Sequence, residues 1–193
     1  MSQLNKAVRS TLALWLLTAF LYPLFMLLCG QIALPFQANG SLITNSQGTV
    51  VGSALIGQPF NSDRYFWSRP STVKYSIAPE VAKTGVSGAS NLAPSNPELL
   101  KRIQVEVARL KQANIQPTAD LVYTSGSGLD PHISIAAAQT QVRRIASARN
   151  LNPAQIQTLV SQNIDGRFLG IFGEPGINVL QLNMALDALQ PAS

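Results

Sequence analysis

Leu12-Ala13-Leu14-Trp15-Leu16-Leu17-Thr18-Ala19-Phe20-Leu21-Tyr22-Pro23-Leu24-Phe25-Met26-Leu27-Leu28 contains no charged side chain, and the apolar character continues through Gly30 and Gln31 to Leu34. Together these are about 23 residues, or ~35 Å as a helix, enough to cross a bilayer with some tilt. Trp15 and Tyr22 suit the headgroup level, and Pro23 is expected to kink the helix without ending it. A buried core helix of this length would show one polar face, and this run has none. A cleaved signal sequence fits no better. Its apolar region is roughly 7–15 residues long and is followed promptly by a small-x-small site, which is missing here. Cys29 follows Met26, Leu27 and Leu28 where a lipoprotein signal needs small residues, so it is expected to be a buried apolar thiol.

Charges outside the run set its direction. No Asp, Glu, Lys or Arg occurs between Ser10 and Ser62, and all nine acids lie from Asp63 onward. Lys6 and Arg9 flank the run on its N-terminal side, whereas the first basic residue after it is Arg64, beyond the window of about 15–20 residues that governs orientation. This predicts residues 1–10 inside, a transmembrane helix over 11–34, and a single extracytoplasmic domain over 35–193. The net charge of +5 divides into +2 from Lys6 and Arg9 and +3 over the remainder. That is too thin for a nucleic-acid surface. With 12% charged against 46% apolar residues in 193, a disordered chain is excluded as well. The lone cysteine rules out an internal disulfide, so the exterior domain must be held by its own core or by a partner.

In that domain, Leu42-Ile43-Thr44 and Thr49-Val50-Val51 read as two strands around Asn45-Ser46-Gln47-Gly48, the second continuing toward Leu55-Ile56. From Pro59 to Pro97 the prolines at 59, 70, 79, 94 and 97 leave little room for regular structure. Tyr65, Phe66, Trp67 and Tyr75 make this stretch more than a linker. Three Asx-Pro pairs, Asn96-Pro97, Asp130-Pro131 and Asn152-Pro153, then read as helix starts, because proline extends the residue before it and loses no bond at the first helical position. The first helix should reach about Ala113 with Leu99, Leu100, Ile103, Val107 and Leu110 on one face. The second, opening between Pro131 and Ile135 and reaching Arg149, should bury Ala138, Val142, Ile145 and Ala146. The third, Pro153 to about Asn163, turns Ile156, Leu159 and Val160 inward. A short extended Ile177-Asn178-Val179 precedes a fourth with Leu182, Ala185, Leu186 and Leu189. The class is α/β or α+β, a small sheet with about four helices.

Several fragments resemble chemical motifs. Ser71-Thr72-Val73-Lys74 and Lys83-Thr84-Gly85 spell the S-x-x-K and K-T-G of penicillin-binding proteins, but proline-broken chain between them cannot supply that fold's separate helix and strand. Ser125-Gly126-Ser127-Gly128-Leu129-Asp130-Pro131-His132 gathers Ser, Asp and the only His. A triad converges from separate elements, so the simpler reading is a glycine-rich turn capping a helix, with Asp130 or Ser134 as N-cap and His132 bonded locally. Backbone amides ahead of a helix also suit an anion, yet no phosphate-loop lysine is present. One His and a membrane Cys build no zinc site. Arg143, Arg144 and Arg149 read as a solvated face or ion-pair partners. No catalytic or metal-binding constellation emerges.

The phrases themselves resemble a known family over essentially the whole chain, the C subunit of the Kdp potassium-importing P-type ATPase. The matching stretches are Gly52-Ser53-Ala54-Leu55-Ile56-Gly57-Gln58 with Phe60, Tyr65-Phe66 with Arg69-Pro70-Ser71, and Ser87-Gly88-Ala89-Ser90-Asn91-Leu92. Ser125 to Ser134 follows, then Gly173-Glu174-Pro175 with Asn178-Val179-Leu180 and Leu182-Asn183.

The resemblance implies a non-catalytic accessory subunit of the bacterial cytoplasmic (inner) membrane. Its partners would be a channel-like A subunit, a P-type ATPase B subunit and a small F subunit, with ATP and potassium handled by the complex and no cofactor bound directly. The family is described as an assembly factor and a catalytic chaperone raising the B subunit's affinity for ATP. Gln58, Arg69, Ser87, Asn91, Ser125, Ser127, Asp130 and His132 lie in the matching phrases and become candidates for partner or nucleotide-linked contacts. Tyr65, Phe66 and Trp67 become candidate interface aromatics. P-type nucleotide sites are cytoplasmic, whereas the charge bias puts this domain outside, so any effect on ATP is expected to be indirect. The alternative is a free-standing, membrane-anchored exterior enzyme or ligand-binding module using Ser125–His132.

Overall fold

The computed structural model describes residues 2–45, 47–77 and 85–189. Ser46 of the first turn, Pro79, and the Lys83-Thr84 part of the K-T-G fragment lie outside the described residues. The chain divides into two compact units, residues 1–42 and 43–193.

In the first unit Ser2 caps helix α1, its hydroxyl accepting from the Asn5 amide at 3.4 Å. Helix α1 runs over Gln3–Ala33 with a mean hydropathy of 2.2 in its most apolar stretch, and none of that stretch is covered by the chain. It is the one helix among the described residues long and apolar enough to cross a membrane. Leu17–Leu21 is a single π turn, closed by the Tyr22 amide donating to Leu17. Pro23 explains its position. Proline has no N–H for the Ala19 carbonyl and its ring crowds that oxygen, and widening the turn just ahead relieves both. Cys29, expected to be buried, is exposed on this helix. Leu34, ahead of Pro35, leaves the helical region with φ −137° and ψ 53° and breaks the helix before a single turn, α2 (Pro35–Ala38).

The second unit opens with a hairpin of β1 (Leu42–Thr44) and β2 (Val50–Ser53). Asn45 organises its turn, its side-chain oxygen accepting from the amides of Gln47 at 3.0 Å and Thr49 at 2.9 Å, and Gly48 takes φ 76°. Strand β2 stops at Ser53 and does not continue to Leu55-Ile56. The Ser53 hydroxyl accepts from the Leu55 amide at 3.1 Å and turns the chain.

Two of the three Asx-Pro pairs start helices. Asn96 caps α3 (Pro97–Gln112), and Asn152 with Gln155 forms a capping box on α6 (Pro153–Gln162). A one-turn helix, α4 (Ala119–Val122), follows α3. The third pair does not start a helix. The Asp130 carboxylate accepts from the His132 amide at 3.0 Å, an Asx turn, and the chain then extends as β3 (His132–Ile133). Helix α5 (Ile135–Arg149) begins only after Ser134, whose hydroxyl accepts from the Ala137 amide. Strand β3 pairs antiparallel with β4 (Ile177–Asn178), His132 opposite Asn178 and Ile133 opposite Ile177. Val179, expected to be extended, already opens helix α7 (Val179–Leu189).

Helices α5, α6 and α7 pack in sequence, and their apolar faces join Leu110, Ile115, Leu121, Ile133 and Ile177 in one core. All the inward positions expected on α5 and α6 are buried. Leu100 and Leu189 are exposed, because one is at the flank of the α3 stripe and the other in the last turn of α7.

Phe66 and Trp67, candidate interface aromatics, belong to this core at 0% and 6% exposure. Their segment belongs to neither two-stranded sheet. Amide side chains take the place of a neighbouring strand. Asn183 accepts from the Phe66 amide at 2.8 Å and donates to its carbonyl at 3.0 Å, and Gln141 does the same for Trp67. Arg144 and Arg149 are drawn to the same segment and are not a solvated face. Arg144 donates to the carbonyls of Asp63 at 2.7 Å and Tyr65 at 2.8 Å while its guanidinium, like that of Arg109, stacks over Trp67. Burial pulls the Arg144 pKa down to about 10. Arg149 pairs with Asp187 at 2.6 Å beneath Tyr65, and only Arg143 of the three is exposed.

Candidate functional site

The Ser125–His132 segment bridges the end of α4 and strand β3, and it gathers most of the candidate residues. Ser125 is buried, its amide donating to the Pro70 carbonyl, and its hydroxyl accepts from the amides of Ser127 at 3.2 Å and Gly128 at 3.1 Å. The Ser127 hydroxyl in turn accepts from the Leu129 amide at 3.1 Å. Hydroxyls that fold back on amides two or three residues on are the ordinary means of holding a Ser/Gly turn. Gly128 is required here. With φ 70°, a Cβ would stand 2.6 Å from the Gly88 carbonyl and 2.5 Å from Val73.

Three other segments dock on this turn. Ser87 Oγ and the Gly88 amide both donate to the Ser127 carbonyl, at 2.9 and 2.8 Å. Ser71 Oγ donates to the Gly128 carbonyl at 2.7 Å, and the Gly57 amide to the Leu129 carbonyl at 2.7 Å. Gln58 lies beside the last of these. Its side chain donates to the Val51 carbonyl and its own carbonyl accepts from Ser68. Asn91 is exposed and adopts the left-handed backbone, φ 50°.

The charged end of the turn is a relay of paired groups. Arg69 Nη1 donates to Asp130 Oδ2 at 2.7 Å, while His132 Nδ1 faces Asp130 Oδ1 at 3.7 Å and His132 Nε2 faces Asp165 Oδ2 at 3.4 Å. The neighbouring Asp130 carboxylate raises the His132 pKa above its ordinary value; burial opposes this, and Asp165 adds to it. Burial pushes Asp130 up, but its bonds from His132 and the Arg69 charge outweigh that and leave its pKa lowered. A carboxylate faces each nitrogen of the imidazole. A serine-activating base instead needs a nitrogen free toward the hydroxyl.

Tyr75 completes the arrangement. It is buried, its hydroxyl donates to the Arg69 carbonyl, and burial raises its pKa. Lys74 and Tyr75 both take positive φ, 49° and 55°, a conformation that bulky side chains adopt only when surrounding bonds impose it. Here the Tyr75 amide is held by Ser71 Oγ at 3.1 Å. Beside Tyr75 opens a cleft of about 550 Å³ lined by Phe60, Trp67, Arg69, Lys74, Glu106 and Arg109 among others. Its cations are largely engaged, Arg69 with Asp130 and Arg109 with Glu106 at 2.8 Å. Among the described residues, no group of three or more His, Cys, Asp and Glu side chains is placed to hold a metal ion.

Ser71, Tyr75 and Asp165 are parts of this cluster that the sequence did not single out for it. Ser71 and Asp165 pair with Gly128 and His132 tens of residues away, which no local pattern marks, and Tyr75 bonds to Ser71 and Arg69 within a stretch that has no regular spacing to show it.

Comparison with known proteins gives a consistent result. The family described as KdpC, K+-transporting ATPase, c chain, matches residues 4–188. A potassium-transporting ATPase KdpC subunit from Synechocystis sp. is 62% identical over 181 residues, covering 94% of this chain and 95% of that protein. A KdpC subunit 1 from Nostoc sp. is 61% identical over 194 residues, with 97% and 96% covered. One from Sorangium cellulosum is 46% identical over 191 residues, with 97% and 98% covered.

Proposed function

Since the chain belongs to the KdpC family of K+-transporting ATPase c chains, we propose that it is a non-catalytic accessory subunit of an ATP-driven potassium import complex. In this reading α1 anchors it in the cytoplasmic membrane, and residues 35–193 stand outside, seated on the transporter. The observation that carries the non-catalytic part is how the polar side chains of the Ser125–His132 turn are used. Ser125 and Ser127 hold the turn's own amides, Asp130 holds Arg69 and the His132 amide, and His132 lies between two carboxylates. Such a turn orders four chain segments into one surface and leaves no serine with a base at hand. Its candidate residues therefore act by shaping a contact surface.

The partners in this reading are a channel-like A subunit, a P-type B subunit and a small F subunit. Any rise in the B subunit's affinity for ATP is transmitted through the assembled complex. The outside location rests on Lys6 and Arg9 in the first turns of α1, ahead of its apolar run, and the absence of basic residues from there to Arg64.

Purification of the tagged full-length chain from membranes tests this directly. Recovery of a complex with potassium-stimulated ATP hydrolysis, lost when the chain is omitted, supports the reading. A chain recovered alone, and hydrolysing or binding a small molecule by itself, favours a free-standing module.

A further inference from the structure

Residues 165–176 form a second hairpin whose base, Asp165, faces His132 and whose tip, 168–172, belongs neither to the matching stretches nor to the site above. Asp165 and Gly176 exchange backbone hydrogen bonds at 2.8 and 3.1 Å, and Phe168 and Phe172 do so at 2.8 and 3.0 Å. Leu169 and Gly170 turn the tip with φ 53° and 73°. Phe168, Leu169, Ile171 and Phe172 point away from the domain, 71%, 74%, 71% and 62% exposed. Single exposed apolar residues are ordinary, but four large ones in five positions form a contiguous patch of the kind that marks an interaction site.

We propose that this hairpin is a plug that docks in an apolar socket with an uncharged rim on another subunit of the transporter. The proposal rests on the reading of the chain as a complex subunit. Charge and size select that occupant. Arg167, the hairpin's one cation, is neutralised by Glu174 at 2.9 and 3.1 Å, and Asp165 at the base faces His132. The hairpin has no Lys, Trp or Tyr. A loop dipping into lipid carries free basic or amphipathic aromatic residues at its rim, and this one has neither. A second copy of the chain is disfavoured by area, because a five-residue tip falls well short of the ~800 Å² per partner that a stable interface buries. A socket needs less. A few anchors seated in a desolvated pocket carry most of an interface's energy, and the backbone bonds that preorganise the tip reduce the ordering cost.

The test uses the full chain in membranes that contain the whole ATPase. Placing the photoreactive Phe172→p-benzoylphenylalanine at the tip and irradiating should give one discrete adduct with another subunit. Phe168→Ser with Phe172→Ser should lower the co-purified subunits by about tenfold, with the thermal midpoint of the purified full chain unchanged. Adducts with lipid only, a cross-linked pair of this chain, or undiminished assembly of the double variant would each overturn the plug. The photoprobe retains an aromatic tip, so it remains decisive if the serine variant unfolds. If the wild-type chain co-purifies with no other subunit, the accessory-subunit reading fails and the plug with it. If the wild type assembles and the double variant assembles equally, only the plug fails.

Discussion

The side-chain amide of Gln141 is bonded in both directions to the backbone of Trp67, accepting from its N–H at 2.7 Å and donating to its C=O at 3.3 Å. Asn183 repeats the arrangement one residue earlier at Phe66. A segment buried outside any helix or sheet would leave its peptide groups unpaired, and two helices supply the pairing through their side chains. This is what allows an aromatic pair from a proline-broken loop to enter the core.

Gln141→Leu keeps the size of the side chain and removes both bonds, leaving the Trp67 N–H and C=O buried without partners. The expected cost is about 1–3 kcal/mol for each orphaned group. Urea unfolding of the full chain in detergent, followed by far-ultraviolet circular dichroism, should show a lower midpoint. An unchanged midpoint would mean that water replaces the amide.

Helices α3, α5 and α6 were legible in sequence because their signals are local: a cap and an apolar spacing of three and four in all three, with a proline at the first position of α3 and α6. Asp130-Pro131 carries the same letters as Asn96-Pro97, yet it begins an Asx turn and a strand. What separates the two pairs is where the chain must go next, and His132 is required opposite Asn178. Arg144 and Arg149 read as a solvated face or as ion-pair partners; they are ion-paired with Asp63 and Asp187, but sequence cannot show that the 62–67 loop lies across α5 and offers them carbonyls and rings as well. Ser125, Ser127, Asp130 and His132 were recognisable as one turn. Their partners Ser71, Ser87 and Asp165 were not legible as such, since each pairing joins positions about 30 or more residues apart in a chain whose local patterns reach only one turn.

Gly128→Ala tests the turn. The new methyl meets the Gly88 carbonyl and Val73 at a φ that disfavours any side chain, so the Ser87 and Ser127 segments must separate. A loss of about 1–3 kcal/mol is expected, together with faster amide exchange at Gly88. A stable variant with unchanged exchange at Gly88 would show that the turn tolerates the displacement.

His132 makes stability depend on pH. Its folded pKa is raised by Asp130 and Asp165, so folding favours the protonated ring. The contribution is fully present below the unfolded value of 6.5 and fades as pH rises through the folded pKa. Asp130, whose folded pKa is lowered, acts oppositely: its contribution is present above the unfolded carboxylate value and is lost only in acid. Between about pH 6 and 8.5 the imidazole alone of the two titrates. The wild type should therefore unfold at higher urea near the lower limit, and His132→Gln should flatten the slope. Because the ring is partly exposed, the change should be modest and reduced by salt. A slope that survives the substitution would assign the effect to another group.

The orientation of α1 is the premise behind every exterior contact proposed above, and flanking charge makes it testable. Lys6 and Arg9 precede the apolar run, while from Ser10 to Ser62 there is no basic residue to compete with them. Short flanks with this asymmetry keep their basic side in the cytoplasm. An alkaline phosphatase fused after residue 40 should therefore be active in a bacterial host, because that enzyme matures only outside the cytoplasm. Lys6→Glu with Arg9→Glu, combined with several lysines inserted after Phe36, reverses the bias and should reduce the activity without altering the apolar length of α1. Strong signal from a cytoplasmic reporter fused at residue 40 of the unmodified chain would place the domain on the side of the nucleotide sites. In that case direct contact between this domain and the ATP-hydrolysing subunit's nucleotide site becomes the simpler account of any effect on ATP affinity.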